Sequence, residues 1–227
     1  MFNNNMQERQ YAPSMDIQTL FQGVFLWMML GLLTTAAVAF ITVSTPLVEI
    51  AASPLVFVAL IAEIGLVVWL GSRITKMSTQ TAATVFLLYA ALNGFSLSLI
   101  LLYFDVGTLG TAFLTTSVVF GSMVVVGRTT HLDLTKMGSI LLMALIGLIV
   151  AMIVNIFIAN SVADLIISIA GVIIFTGLTA YDAQKIQRMA ASYPGTSSIA
   201  VYGALILYLD FINLFIFMLR LLNSAKR

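Results

Sequence analysis

Carboxylates are scarce in this chain, and three of them interrupt long apolar runs: Glu63, Asp182 and Asp210. A bilayer tolerates acids at such positions only where something offsets their desolvation, so they are the first candidates for chemistry. Asp182 lies in GLTAYDAQKIQR and Asp210 in LILYLDFINLFIFMLR, and the turn Ser192 to Ser198 between these segments centres near Thr196. In an antiparallel hairpin a residue fourteen before that centre lies level with one fourteen after it, and those residues are Asp182 and Asp210. Two carboxylates facing each other at one depth cannot both ionise cheaply, so they are expected to share a proton and to act as a pH-sensing pair. They are also the candidate oxygen ligands for a calcium ion, a hard cation.

On the last apolar segment Tyr202, Ile206, Asp210, Asn213, Phe217 and Arg220 follow helical steps and share one face, which turns Asp210 and Asn213 inward. Glu63 sits at mid-segment, the deepest acid, and is expected to face the last helix and to be protonated or paired. With Asn213 it is a candidate for an ion path. Arg73 ends the second segment, where its long side chain is a candidate latch on the aspartate pair, or else reaches lipid phosphates. Asn93 and Asn155 read as inter-helix glue, and Glu49, Asp105, Asp133 and Asp164 as solvated loop acids, Asp164 also as a charge at the start of its helix.

The elements that must position these residues follow from composition. The chain has 227 residues, of which 61% are hydrophobic and 8% charged, and a mean hydropathy of +1.09, well outside the balance of a soluble domain. A bilayer core needs ~20 apolar residues per helix, and seven such stretches use up nearly the whole sequence. The fold class is therefore all-α, a polytopic bundle of seven transmembrane helices. The segments run from about 21 to 44, 54 to 72, 82 to 104, past the turn at 105–107 to 127, 137 to 159, from near Asp164, and 199 to 222. A short loop carrying Glu49 joins the first two. Residues 1–20 read as a cytosolic tail and not a cleaved signal, 21–222 as a single membrane domain and 223–227 as a short tail.

Arg73, Lys76, Arg128, Lys136, Lys185 and Arg188 all fall in connections after the second, fourth and sixth segments, and none falls after the first, third or fifth. The positive-inside rule then places the N-terminus in the cytosol and the C-terminus outside. The basic tail, Arg220, Lys226 and Arg227, dissents and keeps open a six-crossing version with a re-entrant last segment.

Residue supply excludes several functions. The net charge of +1 gives no electrostatic case for nucleic acid, and the absence of cysteine removes thiol catalysis and Cys-based metal sites. No lysine lies within a membrane segment to hold retinal, and the single histidine, His131, is in a loop, which removes serine- and zinc-protease readings. No enzyme activity and no cofactor is expected. A secondary transporter stays open, though paired discontinuous helices and an inverted repeat are not evident.

The pattern GLTAYDAQKI followed by LYLDFINLF with an arginine shortly after, together with Glu63 and Asp133-Leu134-Thr135, resembles the Bax inhibitor-1 family in its bacterial branch, over the whole chain. The resemblance implies a seven-helix fold with the last helix central, and a pH-sensitive calcium leak through the bacterial cytoplasmic (inner) membrane. It carries the family's paired aspartates onto Asp182 and Asp210, and its latching arginine onto Arg73. It also implies a second role, as a non-conducting regulator that binds a membrane-anchored ATP-dependent protease or another membrane partner, the polar N-terminal tail being what such a protease would grip.

Overall fold

A computed structural model describes residues 16–73, 76–192 and 198–224. Most of the N-terminal tail, the turn around Thr196 and the basic residues Lys226 and Arg227 lie outside the described residues. The chain forms helices α1 (Ile17–Val43), α2 (Leu47–Ala51), α3 (Val56–Arg73), α4 (Thr79–Leu97), α5 (Ile100–Tyr103), α6 (Val106–Thr129), α7 (Thr135–Ile158), α8 (Ser161–Ser192) and α9 (Ser198–Ser224). Among the described residues seven helices are long and apolar enough to span a bilayer, α4 and α5 together making one of them. The protein is an all-α polytopic membrane protein.

Three local features depart from the sequence expectations. The connection carrying Glu49 is the one-turn helix α2, started by Pro46, whose fixed φ suits a helix entry. The third span breaks after Leu97, with Ser98 Oγ donating to the Phe95 carbonyl. Asp105 is exposed, as expected, and also caps α6: its Oδ1 accepts from the Thr108 amide at 2.9 Å, and the helix begins at Val106 inside the expected turn. At the same end of the bundle α7 stops on Ala159, which is left-handed at φ 52°. Asn155 and Asn160 side chains then take up the Asn160 and Ala163 amides that the stop and the new start of α8 leave open.

With no apolar driving force between helices in lipid, close approach and polar contacts must do the joining. Gly94 of α4 lies against the backbone of Thr35 in α1, and Gly127 of α6 against the backbone of Ala180 in α8. A Cβ at Gly127 would come within 2.1 Å of the Ala180 carbonyl oxygen, so only glycine permits that crossing. The most buried span is α9: 61% of its apolar window is buried, against 39% for α8 and 6% for α7. It packs on α8, α1, α6 and α4. Tyr208 at its middle is fully buried, edge-on to both Phe86 and Tyr89.

Candidate functional site: an acid pair between the last two helices

Asp182 and Asp210 come together. Both are buried, and both line one cleft of about 400 Å³. The helical hairpin is the cause: α8 and α9 form the most extensive helix pair of the fold, and each carries its aspartate on the shared face. Oδ2 of Asp210 is buried with no hydrogen-bond partner among the described residues. Asn213, one turn further along α9, lines the same cleft, its Nδ2 donating to the Leu209 carbonyl at 2.8 Å.

The cation beside the pair is Lys185, whose Nζ stands 3.4 Å from Asp182 Oδ1. It lies one turn from Asp182 on α8, an i,i+3 spacing that places it on the aspartate's own face. Tyr181 and Tyr202 also face it. Arg73 ends α3 exposed, and among the described residues no hydrogen bond or ion pair joins it to either aspartate. The i,i+3 spacing that sets Lys185 beside Asp182 is legible in the sequence, where Lys185 reads as a charge that orients the chain.

Glu63 is buried on α3, where its Oε2 accepts from Asn93 Nδ2 at 3.1 Å and its Oε1 from Ser96 Oγ at 2.6 Å. Both donors belong to α4, and the hydrogen bonds run on to α9 through Asn93, whose Oδ1 accepts from the Tyr208 hydroxyl at 2.9 Å. That hydroxyl lies 2.6 Å from Thr35 Oγ1 on α1. One buried polar chain thus ties α3, α4, α9 and α1, and satisfying each polar group within it avoids the cost of leaving one unpaired in the apolar interior. Thr35, Ser96 and Tyr208 drew no notice in the sequence, where single hydroxyls in apolar runs are too common to stand out.

Two ion pairs brace the ends of α8. Arg220, on the same face of α9 as Asp210, reaches not the aspartate pair but Asp164 in the first turn of α8. Asp164 is accordingly a paired, half-buried helix residue and not a loop acid. At the far end Arg188 binds Asp133 Oδ1 at 2.6 Å and also contacts Thr135 and Gln184. The Thr135 hydroxyl and amide, with Arg188 after them, hold the Asp133 carboxyl well below the usual carboxylate range. Gln184 completes the clamp, donating to the Leu132 carbonyl at 2.9 Å and accepting from the Leu134 amide at 3.0 Å. The segment Asp133-Leu134-Thr135 therefore fixes the half of α8 that carries Asp182 and Lys185.

Comparison with known proteins agrees with this architecture. The chain is 38% identical over 222 residues to the inner membrane protein YbhL of Escherichia coli (strain K12), covering 94% of this chain and 95% of that one. It is 42% identical over 210 residues to a protein of Borreliella burgdorferi, covering 89% and 90% of the two chains. A protein of Deinococcus radiodurans is 38% identical over 214 residues, with 92% of each chain covered. The family model described as "Inhibitor of apoptosis-promoting Bax1" matches residues 17–227, and the chain belongs to the Bax inhibitor-1 family, in its bacterial branch.

Proposed function

We propose that this protein is a pH-sensitive calcium leak of the bacterial inner membrane, with Asp182 and Asp210 as its proton-binding element. The observation that carries the reading is the meeting of two buried carboxyls, from consecutive helices, in one cleft with a single lysine beside them. Two unit negative charges ~4 Å apart repel by about 4 kcal/mol at an effective dielectric of ~20. A proton shared by the pair removes that repulsion and favours close packing of α8 on α9. Its loss leaves a net negative cleft that Lys185 offsets only in part, and the remaining charge is relieved by separation of the helices or by a cation. Calcium is the cargo such a site suits: it accepts carboxylate and amide oxygens, here from Asp182, Asp210 and Asn213, and water supplies the rest of its shell. Two carboxylates and one amide are few protein ligands for calcium, which suits the loose holding that conduction requires. The sign of the pH response depends on how calcium and protons compete for the pair, so pH dependence itself is the commitment.

The inner-membrane assignment rests on the relative of that name, and the orientation on the basic connections. Arg128, Lys136, Lys185 and Arg188 gather at the end of the bundle clamped by Asp133, which we place in the cytosol. A reporter fused after Arg188 is expected to read cytosolic and one fused after Arg227 external; a cytosolic C-terminal signal would instead support the re-entrant arrangement. The leak is tested with purified protein in calcium-loaded liposomes across pH 5 to 8, roughly the span in which carboxyl pairs with perturbed affinity titrate. Release above protein-free liposomes that changes with pH is expected. Absence of release at every pH would turn the reading toward the non-conducting regulator of a membrane-anchored ATP-dependent protease.

A further inference from the structure

A second cleft, of about 460 Å³, lies beside the first and holds Glu63, with Tyr89 and Leu60 in its wall. Only Val67 and Leu209 line both clefts. Val67 follows Glu63 by one helical turn on α3, and Leu209 precedes Asp210 on α9, so the wall that the two clefts share is made by close neighbours of their acids. Neither carries a polar atom in its side chain. A cation passing between them would lose water and gain no ligand, and a narrow apolar passage of this kind opens and closes by wetting and drying. Both side chains are only half-buried, and neither takes part in the polar chain or the ion pairs that hold the bundle together.

We infer that Val67 and Leu209 form an apolar constriction between the Glu63 cleft and the aspartate cleft, and that its width sets the rate at which a cation crosses from one to the other. This rests on the leak proposed above. It predicts that Val67→Ala and Leu209→Ala, each removing apolar bulk without adding charge, raise calcium release from liposomes severalfold at a fixed pH, and that Val67→Phe lowers it below wild type. Thermal unfolding in detergent checks that each variant is folded.

A second readout needs no flux. Because the chain has no cysteine, Leu60→Cys places a single thiol in the Glu63 cleft. Its reaction with a membrane-impermeant cationic thiol reagent is expected to quicken severalfold when Val67→Ala is added. If wild type conducts and the alanine variants match it, the constriction is wrong while the leak stands. If wild type does not conduct, the leak reading fails, and the thiol rate alone then decides the constriction: an unchanged rate overturns it.

Discussion

Replacing Gly127 by alanine should cost the protein much of its stability, and replacing Gly121, six residues earlier on the same helix, should not. At Gly127 the new methyl group would meet the Ala180 carbonyl oxygen at 2.1 Å and the Ala180 carbonyl carbon at 2.8 Å. These are backbone atoms of α8, so relief requires moving the helix and not a side-chain tip. Overpacking in a filled core costs about 1 to 3 kcal/mol, and an obstruction by backbone belongs at or above the upper end. Ala180 lies two residues before Asp182, so the displaced segment is the one that carries the acid pair. At Gly121 nothing lies within 4 Å of the added Cβ, and alanine should gain up to about 1 kcal/mol through its better helix propensity. Gly94→Ala, which meets the Thr35 carbonyl oxygen at 2.5 Å, should behave like Gly127→Ala. Unfolding by added sodium dodecyl sulfate from a mild detergent ranks the four proteins, and equal midpoints for Gly127→Ala and wild type would mean that the α6–α8 crossing is looser than described.

The parts of this molecule that the sequence made legible are those set by one-dimensional rules. Segment lengths were enough for seven spans, and equal distances from a turn were enough to bring Asp182 level with Asp210, because an antiparallel hairpin converts sequence separation directly into depth. What escaped was set by contact between elements. Arg220 shares a helical face with Asp210, yet ten residues of helix separate them by ~15 Å, and the guanidinium finds Asp164 at its own depth instead. Arg73 reads as a candidate latch because a long side chain ends the second segment; the cation found beside the pair is Lys185, one turn along α8. Asp105 is solvated as read, but a short polar stretch gives no sign of which residue will cap the next helix. The link from Glu63 through Asn93 to Tyr208 and Thr35 depends on how α3, α4, α9 and α1 rotate against one another, which no periodicity in a single segment determines.

The aspartate pair should govern the response to pH, and removing either member should abolish most of that response without unfolding the protein. Asparagine keeps the size and hydrogen-bonding shape of the side chain but cannot gain or lose the shared proton, so Asp182→Asn or Asp210→Asn ends the coupled titration of the two carboxyls. Asp210→Asn leaves the Lys185 to Asp182 contact in place, whereas Asp182→Asn leaves Lys185 without its carboxylate, so the two variants should differ in flux at any one pH while both being flat across it. Each tenfold change in the proton affinity of the pair is about 1.4 kcal/mol, large enough to see in a release rate. The most direct test is therefore calcium release from liposomes containing wild type, Asp182→Asn or Asp210→Asn, each measured at closely spaced pH values. A pH-dependent wild type beside two flat variants is the predicted result, and two variants that each keep the full wild-type profile would contradict the account.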